Sequence, residues 1–133
     1  MSTYAGLQKW VLNKGRIINI SSQLGIAGRA GMGAYAASKH AIIGLTRCWS
    51  LELDARGITV NAVCPGWVDT QSNRTEIRQW ARTLDMSYQQ KKKQLAEPLT
   101  LGRFITSQEV ARLVTFLAGP ESSGITGHVY EIK

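Results

Sequence analysis

Tyr35 and Lys39, in the run Tyr35-Ala36-Ala37-Ser38-Lys39, place a phenol and an ammonium four residues apart. On a helix that spacing puts both side chains on one face. A phenol titrates near ~10 and is a reluctant base at neutral pH. A neighbouring positive charge favours the phenolate and brings proton exchange toward the working range. The spacing alone is not diagnostic, because Tyr88 and Lys92 repeat it; that second pair is read as a surface neighbour contact. Context separates the two. Ser22 lies 13 residues before Tyr35, at the mouth of a hydrophobic strand, whereas Thr75 holds the same place before Tyr88 with no strand leading into it. A hydroxyl at the carboxyl end of a strand lies where open α/β sheets bind their ligands. There it could hydrogen-bond a carbonyl oxygen that Tyr35 protonates. Taken singly, Ser22 also reads as a loop-capping serine.

The elements that must hold these residues follow from local pattern. Residues 3–12 read as the tail of a helix closed by Asn13-Lys14-Gly15. Arg16-Ile17-Ile18-Asn19-Ile20 is a β-branched run suited to a strand buried on both faces. A loop containing Gly25, Gly28, Gly31 and Gly33 follows, then a long helix from Ala34 to about Ala55. Ala41, Leu45 and Cys48 lie on one of its faces, and Ile42, Trp49 and Leu53 on another, which predicts burial by a sheet and by a second helix or subunit. Gly57 is placed to close it. Ile58 to Cys64 reads as a second strand, stopped by Pro65-Gly66. Residues 71–100 are polar and poorly periodic, an excursion with helical pieces. Thr106 and Glu109 form a capping box that opens a helix bearing Val110, Leu113, Val114 and Leu117, closed by Gly119-Pro120. Ile125 to Ile132 is the last strand candidate. Strands alternating with crossover helices predict an α/β fold with a parallel sheet.

Three separated motifs then act together: Gly15-Arg16-Ile17-Ile18-Asn19-Ile20-Ser21-Ser22, the Tyr35 to Lys39 run, and Gly57 through Asn61 to Cys64-Pro65-Gly66-Trp67-Val68-Asp69-Thr70. In order and spacing they resemble the short-chain dehydrogenase/reductase family, from about Gly15 to Tyr130. The resemblance implies a Rossmann-like, doubly wound parallel sheet, present as its C-terminal part only, with residues 1–133 forming a partial cofactor-binding domain. It implies an NAD(P)-dependent oxidoreductase interconverting a secondary alcohol and a carbonyl, with NAD or NADP as cofactor. Tyr35 is then the general acid/base and Ser22 holds the substrate oxygen. Lys39 lowers the Tyr35 pKa and binds the nicotinamide ribose. Asn61 is a structural residue of the strand. Pro65, Gly66 and the backbone near Val68 meet the nicotinamide, and Thr70 meets the cofactor phosphates. Residues 71–100 become a substrate lid, with Gln23 and Trp67 near the substrate. Ala34 to His40, Cys64 to Val68 and Leu101 to Phe104 resemble 3-oxoacyl and polyketide ketoreductases and 3-hydroxybutyrate dehydrogenases, which implies a 3-oxo/3-hydroxy acid unit in the substrate.

The family's glycine-rich phosphate loop, its Asn-Ala-Gly stretch and its NAD/NADP-selecting residue are absent from this sequence, as is the Asn that often completes a catalytic tetrad. Asn13 lies too close to the strand to replace that Asn, and Glu131-Ile132-Lys133 stands where Asp-Gly-Gly is usual. A chain without the first βαβ unit is expected to bind cofactor poorly by itself. The alternative is therefore a truncated, inactive member serving as an oligomerisation module through the 34–55 helix, which the family commonly uses in homo-oligomers. A third class, nucleic-acid binding, rests only on a net charge of +7, from 16 Lys and Arg against 9 Asp and Glu. The cations are spread singly, apart from Lys91 to Lys93, which argues against it. No apolar run reaches the roughly 20 residues of a membrane helix, and no signal-peptide pattern opens the chain. Cys48 and Cys64 form no CxxC or Cys/His cluster, which predicts no metal site and two reduced thiols in a cytoplasmic protein.

Overall fold

The computed structural model describes residues 14–133. The helix tail expected over residues 3–12, and Asn13, lie outside that range. Three strands form one parallel sheet in the order β1 (Gly15–Ile20), β2 (Ile58–Pro65), β3 (Val129–Ile132). Gly15 pairs with Ile58 and Ile20 with Val63, while Ala62 pairs with Val129 and Pro65 with Ile132. Four α-helices join them: α1 (Gly33–Leu53), α2 (Gln71–Thr83), α3 (Tyr88–Ala96) and α4 (Ser107–Ala118). This is the predicted α/β arrangement.

β2 is the spine, buried from Ile58 to Cys64. Val60, Ile58 and Leu53 form a core cluster against which Ile17 and Trp49 pack. Asn61 is the polar exception inside it. Its amide donates to Ile125 O at 2.7 Å and its oxygen accepts from His128 N at 3.1 Å. That accounts for the expected structural role. Ile125 and His128 thus meet β2 partly through the Asn61 side chain, beside backbone bonds from Gly127 N to Val60 O and from Ala62 N to His128 O, and ladder pairing begins at Val129.

α1 lies on the sheet with Ile43, Thr46, Ser50 and Leu53 buried and Ile42 and Trp49 half-buried. Thr46 and Ser50 are polar by type, yet each satisfies its hydroxyl on its own helix, at Ile42 O and Arg47 O (both 2.8 Å). Thr46 also accepts from Asn19 of β1 at 2.9 Å, tying helix to sheet. The other predicted face is bare among the described residues: Ala41 and Cys48 are exposed and Leu45 is 39% exposed. The α-helix stops at Leu53, one 3₁₀ turn before Gly57, which takes the left-handed conformation (φ 65°).

The polar excursion is two capped helices. Thr70 caps α2, accepting from Asn73 N at 3.2 Å. Ser87 and Gln90 close a capping box on α3, and Thr106 and Glu109 close the predicted one on α4. Tyr88 and Lys92 do more than touch as neighbours. Lys92 Nζ lies 3.0 Å from Asp69 and 5.5 Å from the centre of the Phe104 ring, so it ties α3 to the segments flanking the two helices. It is drawn inward because a long stem can cover an aromatic ring while its ammonium reaches a carboxylate.

Candidate active site

The carboxyl ends of β1 and β2 lead directly into the loops that carry the reactive groups. After β1, Ser22 turns the chain into a short 3₁₀ helix, its Oγ accepting from Leu24 N at 3.2 Å. The capping role and the proposed chemical role thus fall on one side chain. Ser21, buried beside it, donates to Lys39 O of α1 at 2.8 Å. Gly25 permits that contact. A Cβ there would overlap Ser21 Oγ, stand 2.9 Å from Lys39 O and 3.1 Å from Ile43 Cδ1.

Tyr35 opens the exposed first turns of α1, 43% accessible. Lys39 Nζ lies 5.7 Å from the centre of its ring and donates to Ile20 O at 3.2 Å. That bond uses one of the three ammonium donors, and no carboxylate pairs with Lys39 among the described residues. After β2, Gly66 N donates to Ile132 O at 2.8 Å, which sets the Pro65-Gly66 turn beside Gln23.

These segments enclose a cleft of about 280 Å³. Ser22, Gln23, Tyr35, Pro65, Gly66 and Trp67 all line it, bringing together six of the residues singled out from sequence. Lys39, Val68 and Thr70 are not on its wall. Val68 O accepts from Asn73 Nδ2 at 2.7 Å and from Thr70 N at 2.8 Å, so both residues anchor the start of α2. The sequence reading missed Arg29, Met32, Asn73, Glu76 and Trp80, which also line the cleft. Asn73, Ile77, Trp80 and Ala81 follow helical spacing on α2, and Ile77 and Ala81 are buried. That periodicity was available in the sequence.

Trp67 is the centre of the cleft's aromatic wall. It stacks on Phe104 (5.2 Å, 18°), meets Trp80 edge-on (6.0 Å), and carries the Arg29 guanidinium 5.3 Å over its ring. Asp69, just beyond, pairs with Arg74 at 2.7 Å and Lys92 at 3.0 Å; their hydrogen bonds hold its carboxyl below the usual range. It is a tether between α2 and α3. Burial pushes the Cys64 thiol up, which keeps it protonated and unreactive. Among the described residues no His, Cys, Asp and Glu cluster is placed to hold a metal, and no helix is long and apolar enough to cross a membrane.

A hydroxyl that can hold a carbonyl oxygen and a phenol that can exchange its proton therefore share one cleft. An ammonium with spare donors stands behind the phenol. The donor set fits the ribose end of a nicotinamide nucleotide, whose hydroxyls need such donors at the carboxyl ends of parallel strands.

Comparison with known proteins gives a consistent picture. A family model described as enoyl-(acyl carrier protein) reductase matches residues 1–132. The 3-oxoacyl-[acyl-carrier-protein] reductase FabG of Thermotoga maritima is 42% identical over 118 residues, covering 89% of this chain and 44% of that protein. A short-chain dehydrogenase family protein from Francisella tularensis superposes with a TM-score of 0.92 at 33% identity, over 96% of this chain and 53% of that one. The F189W actinorhodin polyketide ketoreductase, solved with NADPH, superposes with a TM-score of 0.84 at 34% identity, over 95% and 47% of the two chains. The chain spans about half the length of the relatives it matches.

Proposed function

The chain belongs to the short-chain dehydrogenase/reductase family, and on that premise we propose that its cleft interconverts a carbonyl and a secondary alcohol of the 3-oxoacyl/3-hydroxyacyl type. One observation carries the reading: Ser22 and Tyr35 open onto the same cleft, with the Lys39 ammonium 5.7 Å from the Tyr35 ring. Ser22 Oγ donates to the substrate oxygen and fixes its position. Tyr35 gives its hydroxyl proton to that oxygen in reduction and takes it back in oxidation. Lys39 supplies positive charge beside the phenol while its spare donors hold ribose hydroxyls. A bound NAD or NADP supplies or accepts the hydride. Pro65, Gly66, Val68 and Thr70 are proposed to frame that nucleotide, and Gln23 and Trp67 the substrate. The two lid helices, tethered through Asp69, cover the cleft and exclude water.

Tyr35→Phe tests this. Positioned acid/base catalysis contributes ~10² to 10⁴ in rate, so in a chain completed with the family's first βαβ unit, turnover of a 3-oxoacyl substrate with NADPH should fall by about that factor while circular dichroism stays unchanged. Undiminished turnover in that variant would exclude Tyr35 as the proton donor. A second reading, self-association through α1, is favoured by Leu45 and Leu51, 39% and 82% exposed on one helix. Sedimentation velocity distinguishes a monomer from an assembly, and Leu51→Glu should shift the distribution to monomer. A cytoplasmic setting accords with the two free thiols, Cys48 and Cys64.

A further inference from the structure

Resting on the reading of the cleft as a carbonyl site, we infer that Arg29 binds the carboxylate of a free, short 3-oxo or 3-hydroxy acid. Arg29 lies in the loop between β1 and α1 and lines the same cleft as Ser22 and Tyr35. The cations of the four ion pairs among the described residues are Arg74, Lys92, Arg103 and Lys133. Arg29 is in none of them. Its guanidinium lies 5.3 Å over the Trp67 ring. A cation–π contact leaves the guanidinium its charge and uses none of its N–H donors on a carboxylate, so they remain available to one. Trp67 thus orients the group without neutralising it.

The rest of the wall suits the same ligand. Gln23 and Asn73 add amide donors, and Met32, Trp67 and Trp80 supply apolar surface for a few methylenes. At about 280 Å³ the cleft falls at the small end of ligand pockets, which favours a short acid over a long acyl chain. Glu76 is the one carboxylate on the wall. It forms no ion pair with Arg29, and its charge opposes an anion, so removing it should help one. A thioester on a carrier arm would bring its anionic phosphate many bonds from the carbonyl, beyond a cleft of this size. The carboxylate of a free acid lies two bonds from the same carbonyl carbon.

Trp67 and Trp80 make the test independent of turnover. Tryptophan fluorescence of the chain is titrated with 3-hydroxybutyrate, with its methyl ester, and with inorganic phosphate. The acid should give saturable quenching, and the ester should bind about 10-fold or more weakly, as expected when a charge-assisted hydrogen bond is lost. Arg29→Gln should weaken the acid by about 10- to 100-fold toward the ester's affinity and leave the ester unchanged. Arg29→Lys should fall between, and Glu76→Gln should tighten the acid. Equal affinity for acid and ester, no change in Arg29→Gln, or no quenching by either ligand would overturn the inference. Displacement of the acid by phosphate at equal concentration would assign the anion to a phosphate group and overturn it too. Tyr35→Phe should leave the acid/ester discrimination intact, so a failure of the proton-transfer reading registers in turnover alone.

Discussion

Gly25→Ala should be among the most damaging single-methyl changes in the chain, for a reason that is steric and local. The 3₁₀ turn carrying Ser22 and Gln23 rests against α1 where a methyl group would overlap Ser21 Oγ and press Lys39 O at 2.9 Å. Rotating Ser21 away breaks its 2.8 Å bond to Lys39 O. A broken bond with a buried partner left unmet costs roughly 1–3 kcal/mol, and overpacking a close contact costs a further ~1–3 kcal/mol. The sum is about 2–6 kcal/mol, read as a fall in the urea midpoint at unchanged slope. Ser21→Ala removes the overlapping oxygen, so Gly25→Ala should cost less in that background, with a coupling of ~1 kcal/mol or more. Gly28→Ala, where nothing lies within 4 Å of the added carbon, should stay within about 0.5 kcal/mol of the parent. Strict additivity of Gly25→Ala and Ser21→Ala, or equal costs at Gly25 and Gly28, would refute the close-approach argument. The same displacement moves Ser22 relative to Tyr35, so turnover should fall further than stability alone explains.

Other outcomes follow from single contacts. Asn61→Leu keeps the bulk of a fully buried side chain but strands Ile125 O and His128 N; the loss should be roughly 2–4 kcal/mol in chemical denaturation. Glu109, held by Arg103 at 2.7 Å and by Thr106, has its pKa lowered from 4.5 to about 2. A depressed folded pKa means its contribution is complete above 4.5 and is lost as the pH falls toward about 2. Urea midpoints across that window should therefore drop in the parent, and drop less in Glu109→Gln.

The residues proposed to react are legible in the sequence because their signals are local. Tyr35 and Lys39 share one helical turn, Ser22 directly follows a strand, and Pro65-Gly66 ends another. Arg29, Glu76 and Trp80 carry no such signal singly; they reach the cleft because the loop before α1 and the face of α2 meet over Trp67. The buried stripe of α1 is only partly legible in the sequence, for a different reason. Thr46 and Ser50 count as polar by type, while their hydroxyls are satisfied within the helix and leave them free to face the sheet. Asp69 carries no role that the sequence reveals, and its two cationic partners show it to be a tether. The final strand begins only at Val129, because the chain before it meets β2 through a mixture of backbone bonds and the Asn61 side chain that alternation does not reveal.

Asn61 also bears on how the strands find their alignment. β2 is buried on both faces from Ile58 to Cys64, so sliding it by one residue leaves Ile58, Val60 and Val63 under cover either way, and burial alone is a weak guide to register. The amide supplies a stronger one. Its two partners lie 64 and 67 residues further along the chain, and they meet it in one alignment only. Any slipped pairing buries an amide with nothing to bond. The cost is local, but the partners arrive only after the long crossover has closed, since parallel strands need such connections and distant pairings form slowly. Asn61 therefore ties the alignment of β2 to that of a segment 64 to 67 residues further on, across the long crossover between them.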